Sequence, residues 1–125
     1  MFQVSPEDVL RGLKRFKRLA KQDILAASKT PNPRFWNLHA EARRKVYDAL
    51  MQAIEQAGLE SAYELARRQF AELARPTRDD PEQHGQEQAL TLFFQMLGMT
   101  DEQIAALPQQ EPVPQETANP SVAVN

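Results

Sequence analysis

Five basic side chains near the start of the chain have a spacing suited to binding an anionic surface. They lie in the segment LRGLKRFKRLAK and are Arg11, Lys14, Arg15, Arg18 and Lys21. On a helix that turns 100° per residue, all five fall within an arc of about 120°. Like charges one turn apart destabilise an isolated helix by a few tenths of a kcal/mol. The concentrated stripe therefore indicates that something anionic lies nearby.

The anionic neighbour has three possible identities. A nucleic-acid backbone would gain from the release of one counterion per neutralised phosphate, and an acidic protein would offer carboxylates. The third possibility is internal, because residues 1–30 carry a net charge of +4 and residues 76–125 carry −7. In that case the acidic half of the chain, or water, faces the stripe. A membrane surface is not expected, because the apolar side of the same helix is committed to a core.

A second candidate site follows a proline-containing loop, at the start of the next predicted helix. Arg34, Trp36 and Arg43 could lie together with His39 at one helix end. An aromatic ring beside guanidinium groups can stack on an unpaired base. The structural alternative is that Phe35 and Trp36 seal one end of the bundle.

A third candidate is the segment LTLFFQML at 90–97, which is apolar around more than half of a helix. Such a helix is either central to a bundle or half buried with a partner covering the rest. The second alternative predicts a homo-oligomer, since a second copy is the simplest partner. The residues expected to mediate self-association are Leu92, Phe93, Phe94 and Met96.

Catalytic and metal-binding patterns find little support, so we expect no enzyme activity. The chain has no cysteine, and the two histidines, His39 and His84, do not form the HExxH spacing of zinc proteases. We expect His84 to be exposed at the start of a helix. Glu60 and Glu64 lie one turn apart, which leaves a metal-dependent hydrolase as a weak alternative. No metal, no cofactor and no small-molecule substrate are predicted.

The elements that position these residues are all predicted to be helices. The first begins at the N-cap Ser5 and ends near Ser28, and the second begins close to Phe35 or Asn37 and ends at Gly58. The third is expected to open with a capping box from Ser61 to Glu64 and to stop at Pro76. A fourth begins at Asp80 and ends at Gly98, where Met99 folds back on Phe94. A capping box from Thr100 to Gln103 opens a short fifth helix that runs through Leu107.

Composition supports the same fold class. The chain has 17 Ala, 13 Gln and only 4 Gly among 125 residues, which favours helices over strands. We predict an all-α bundle of four to five helices over residues 1–107, with alanines that let the helices pack closely. Residues 108–125 contain four prolines and no basic residue, which predicts a disordered or extended tail. No signal peptide and no transmembrane run are evident, so a cytoplasmic location is expected.

Together these features favour a non-enzymatic helical binding or assembly protein that acts through protein–protein contacts. The alternative is a nucleic-acid-binding protein that uses the basic stripe of the first helix on phosphates. The basic opening helix, the apolar late helix and the tail rich in Pro, Gln and Glu resemble small accessory proteins of bacteriophages and bacterial mobile elements. The resemblance is one of general character, and it assigns a role to no residue.

Removing residues 108–125 should leave the fold intact, because the tail has no apolar periodicity. A chain that ends at Leu107 should melt within a few degrees of the full chain, which corresponds to less than about 1 kcal/mol. Thermal unfolding followed by circular dichroism measures the difference. A much larger drop would show that the tail packs on the bundle, with Val113 or Val122 as the first residues to test.

Overall fold

Helix α1 (Pro6–Ala26) begins at the residue that the sequence indicated. A computed structural model describes residues 2–73 and 80–107 of the chain. The Ser5 hydroxyl accepts a hydrogen bond from the Asp8 amide at 3.1 Å, and Pro6 occupies the first turn. A 3-10 turn over Ala27–Lys29 ends this segment close to the predicted Ser28.

Helix α2 (Pro33–Ala57) begins earlier than the predicted start at Phe35 or Asn37. The Asn32 side chain accepts a hydrogen bond from the Phe35 amide at 3.3 Å, and proline follows at the first helical position. Because both residue types are favoured at these positions, the cap forms inside the loop. The helix ends at Gly58, which has φ of 97° and whose amide donates to the Ile54 carbonyl at 2.9 Å.

Helix α3 (Leu59–Glu72) shows that the predicted capping box at Ser61 is wrong. Its N-cap is Gly58, and no side chain caps it. The positive φ of Gly58 turns the chain from α2 into α3 at a single residue. The Gly58 carbonyl already accepts from the Ala62 amide at 3.2 Å, so Ser61 lies inside the first turn. The predicted stop at Pro76 lies outside the described residues.

Helices α4 (Pro81–Met96) and α5 (Asp101–Ala106) follow the predicted boundaries. The Asp80 carboxylate accepts from the Glu82 and Gln83 amides at 2.9 and 3.2 Å. After α4, the Met99 amide donates to the Phe94 carbonyl at 3.2 Å, and Gly98 has the positive φ that such a helix end requires. The capping box between Thr100 and Gln103 is confirmed.

The all-α prediction is confirmed, since the described residues form five α-helices and no strand. Helix α2 is central: it packs most extensively against α1 and α4 and also contacts α3, while α5 rests on α4. The largest fully buried side chains of the core are Tyr47, Phe93, Phe94, Leu13, Leu50, Leu90 and Leu107. Within the described ranges, no helix is long and apolar enough to cross a membrane.

Small residues set the distance between the helices. Ala40, Ala62, Ala66 and Ala89 are fully buried, in line with the predicted close packing. The backbones of α2 and α4 approach closely at Gly85 of α4, where an added Cβ would lie 2.4 Å from the His39 carbonyl oxygen and 3.2 Å from the Ala42 Cβ. The carbonyl is part of α2 and cannot move on its own. A hydrogen atom at position 85 is therefore what lets α4 lie against α2.

Replacing Gly85 by alanine should destabilise the fold by about 1–3 kcal/mol, because the new methyl group forces the two helices apart. Gly12→Ala is a matched control within α1. Its new Cβ would meet only the flexible Met96 side chain, with the sulfur at 2.7 Å and the terminal methyl carbon at 3.7 Å. Both variants gain the higher helix propensity of alanine, so the difference between their free energies of unfolding measures the clash with the His39 carbonyl. Urea unfolding measures both, and equal losses would contradict the assignment.

Candidate functional site

The five cations predicted to form a stripe all lie exposed on the outer side of α1. Arg11 pairs with Asp8 at 2.8 Å, one turn earlier on the same helix. Lys17, outside the predicted set, pairs with Asp48 of α2 at 2.6 Å. Among the described residues, no carboxylate forms an ion pair with the remaining four cations, which are Lys14, Arg15, Arg18 and Lys21. Within the described ranges, internal pairing thus accounts for only one of the five.

Two large apolar side chains of α1 are also exposed, one within the stripe of cations and one beside it. Leu25 is 80% exposed and Leu19 is 45% exposed. Leu25 lies four residues after Lys21 and seven after Arg18, so helical spacing places it within the stripe of cations. We define the basic face as the five predicted cations together with Leu19 and Leu25. The prediction from the sequence did not include these two leucines, because it described the outer side of α1 by its charged residues alone.

A groove continues the basic face towards α2. Its volume is about 470 Å³, and α1 lines it with Lys14, Lys17, Arg18 and Lys21. The α2 side supplies Asp48, Met51, Gln52 and Glu55. Asp48 is engaged by both Lys17 and Arg44, at 2.6 and 3.2 Å. The carboxylates therefore balance the inner edge of the basic face and leave the outer edge positive.

The two histidines meet in a pair that sequence spacing did not indicate. The Nε2 atom of His39 on α2 lies 2.9 Å from the Nδ1 atom of His84 on α4, although the residues are 45 apart in sequence. His84 is exposed, as predicted, whereas His39 is only 2% exposed. Phe35 stacks on His39 with the ring centroids 6.0 Å apart. Because the close helix approach at Gly85 creates the pair, no local pattern could have found it.

The environment of His39 keeps its ring neutral. The pKa of His39 is lowered to about 4, mainly by burial and further by the neighbouring charges of Arg43 and His84, while Asp23 acts in the opposite direction. A neutral imidazole has one donor and one acceptor nitrogen. The Nδ1 atom of His39 is buried without a hydrogen-bond partner. Because an unpaired N–H is rarer than an unpaired acceptor, we assign the proton to Nε2, which donates to His84.

Of the four residues predicted to lie together at this helix end, Trp36, His39 and Arg43 line one cleft. This cleft of about 290 Å³ lies between α1, the start of α2 and α4, and its walls include Asp23, Ala26, Thr30, Trp36, His39, Arg43 and Gln88. Arg43 donates to Asp23 at 2.6 Å, but its Nε atom is buried without a partner. Arg34 is exposed and is not among the lining residues. Phe35 is half-buried while Trp36 remains 42% exposed, so the pair does not form a complete seal.

The four residues predicted to mediate self-association differ in how deeply they are buried. Phe93 and Phe94 are fully buried within the single chain, where Phe94 contacts Tyr63 and Phe70 edge to face. These two rings are therefore not available on the surface. Leu92 and Met96 are half-buried. The apolar excess of α4 is explained largely by the residues that it buries inside the bundle, and the homo-oligomer stays a prediction.

The acidic pair considered for a hydrolase, Glu60 and Glu64, belongs to no metal-binding cluster of the described residues. Within residues 2–73 and 80–107, no group of three or more His, Cys, Asp or Glu side chains could hold a metal ion. Glu64 instead accepts hydrogen bonds from Arg67 at 2.8 and 3.2 Å. Nothing in this geometry favours the hydrolase alternative.

The buried His39 should make stability depend on pH. Its pKa is about 4 in the folded chain against 6.5 for an unperturbed histidine, so the unfolded state binds more protons between these values. The free energy of unfolding should hold above about pH 6.5 and fall by about 2–3 kcal/mol as the pH drops towards 4. His39→Gln should remove this part of the slope while other groups titrate as before. Urea unfolding of both chains at pH 7, 5.5 and 4.5 checks this prediction. The same pH dependence of the unfolding free energy in the two chains would contradict it.

Comparison with known proteins found no match to a protein-family model, to a curated protein or to a solved structure.

Proposed function

We propose that this chain is a non-enzymatic binding protein whose basic face holds an acidic partner protein. The observation that carries the proposal is the combination of charge and apolar surface on α1. Four cations without ion-pair partners among the described residues share one exposed side with Leu25, which is 80% exposed. A partner that presents carboxylates around an apolar patch complements both features.

The exposed leucines favour a protein over a phosphate backbone. Burial of a leucine side chain stabilises a complex by about 1.5–3 kcal/mol, and a partner needs apolar surface to supply that contact. Sugar–phosphate backbones offer charge but little apolar area at this spacing. The carboxylates of Asp48 and Glu55 in the adjoining groove would also repel phosphates on that side. An acidic protein can avoid them by placing its own carboxylates over the outer edge.

The second candidate function is binding of nucleic acid through the same cations. The observation in its favour is length: Arg11 and Lys21 lie ten residues apart, which is about 15 Å of helix rise. Each phosphate that a cation neutralises would release a counterion and steepen the salt dependence of binding by about one unit. The partner protein remains the first proposal because the phosphate backbone leaves Leu25 unexplained.

Site-specific crosslinking tests the proposal on the full chain. A photoreactive amino acid placed at position 25 should capture an acidic protein from nuclease-treated lysate of the source cells. The affinity of that purified partner is then measured for Leu25→Ser and Arg18→Glu. Each variant should weaken binding about tenfold or more, which corresponds to the loss of one well-packed contact.

Arg68→Glu provides a matched control, because it makes the same charge change at an exposed cation of α3. It should leave the affinity nearly unchanged. If Arg68→Glu and Arg18→Glu lost equal affinity, the effect would depend on net charge alone, and the proposed role of the basic face would be overturned. Binding of duplex DNA at about 50 mM salt that is lost in Arg18→Glu but kept in Leu25→Ser would favour the nucleic-acid function instead.

A further inference from the structure

The cleft around Trp36 combines an exposed aromatic ring with buried polar groups. Trp36, His39 and Arg43 occupy positions i, i+3 and i+7 of α2, so they lie along one side of that helix. Thr30 and Gln88 complete the walls from the loop before α2 and from α4. The Trp36 indole meets Phe35 and His39 edge to face, at centroid distances of 5.0 and 5.3 Å. It remains 42% exposed, so part of the ring is open to a ligand.

Two buried polar atoms of the cleft residues have unused hydrogen-bonding capacity. The Nδ1 atom of His39 has no partner, and the side chain is 2% exposed. With the proton on Nε2, this atom is an acceptor that needs a donor. The Nε–H of Arg43 is a donor that needs an acceptor. Buried polar atoms are nearly always satisfied, and their pairing by a ligand is a physical reason for the arrangement.

Charge and size restrict the ligand. The guanidinium of Arg43 is already paired with the Asp23 carboxylate at 2.6 Å, so the cleft carries no excess positive charge. A free anion is therefore disfavoured, and a neutral planar group is favoured. The volume of about 290 Å³ lies at the lower end of ligand pockets, which suits a single ring system.

We propose that this cleft binds one unpaired nucleobase. The base stacks on the exposed part of Trp36 with its polar edge towards His39 and Arg43. Because the Nδ1 atom of His39 and the Nε atom of Arg43 are buried in the unliganded chain, a local side-chain adjustment on binding exposes them, so that the base donates an N–H to the first and accepts a hydrogen bond from the second. Every nucleobase carries a donor and an acceptor on its Watson–Crick edge, which is free in an unpaired base, as this pairing requires. The base comes either from a free nucleoside or from an unpaired nucleotide in a strand. The proposal is independent of the partner protein on the basic face, because none of the basic-face residues lines the cleft.

Nuclear magnetic resonance titration of the ¹⁵N-labelled full chain tests the site directly. The probes are the four nucleosides at millimolar concentration, a short unpaired DNA strand and a matched duplex. Nucleosides or the single strand should shift the Trp36 indole N–H and the His39 ring resonances, while the duplex should shift them much less. Shifts with nucleosides identify a free-base source, and shifts with the strand alone identify a base held in a chain. No shift of these resonances with either probe overturns the proposal.

Three variants separate stacking and hydrogen bonding from folding. Trp36→Ala should weaken binding about tenfold, whereas Trp36→Phe should retain most of the affinity because the smaller ring still stacks. Arg43→Lys keeps the charge beside Asp23 but lacks the Nε–H, and it should also weaken binding severalfold. Amide spectra of each variant establish that it is folded. Unchanged binding in folded Trp36→Ala, or a loss in Arg18→Glu equal to the loss in Trp36→Ala, would place the base elsewhere and overturn the proposal.

Discussion

The contact between Gly85 and the backbone carbonyl of His39 sets the spacing on which the rest of the bundle depends. With only a hydrogen atom at position 85, α4 lies directly against α2. That spacing brings the His84 ring to within hydrogen-bonding distance of His39, and it also brings Gln88 to the cleft around Trp36. A larger residue at this position would push α4 away from α2. It would separate His84 from His39 and move Gln88 away from the cleft. The packing constraint and the candidate site are therefore one feature of the α2–α4 interface.

Helix α1 divides its circumference between two tasks. Its inner side buries Val9, Leu13 and Ala20, which attach it to the core. The ion pairs Lys17–Asp48 and Arg43–Asp23 fix its two edges against α2. The outer side carries two exposed leucines and four cations that form no ion pair with the described residues of the chain. Because the core needs only the inner side, the composition of the outer side is free to serve recognition.

Local patterns predicted most of the fold. The caps at Ser5, Asp80 and Thr100 and the reversal at Gly98 were recognisable because each depends on a few adjacent residues. The start of α3 was predicted wrongly because a local pattern can be present without being used. Ser61 has the spacing of a capping box, but a single glycine at position 58 turns the chain without a side-chain cap.

The candidate site was only partly predictable. The stripe on α1 and the grouping of Trp36 with Arg43 followed from helical spacing, since they involve one helix each. The His39–His84 pair depends on the distance between two helices, which no local pattern specifies. The exposure of Leu25 follows from the same spacing, which places it among the cations, but it was missed because only the charged residues of that side were considered. Phe93 and Phe94 were predicted to be at a surface but are buried. An apolar helix inside a bundle has the same sequence pattern as one that is covered by a partner.

The position of Trp36 has a practical consequence for following this protein in solution. It is the single tryptophan of the chain, and its ring centroid lies 5.3 Å from that of His39. Indole fluorescence responds to solvent exposure, and Trp36 is 42% exposed at the cleft, so its emission reports on this side of the molecule. No residue of the basic face lines the cleft, so an event confined to the outer side of α1 should change that signal little. The native chain thus contains a built-in optical probe that distinguishes its two surfaces without any label.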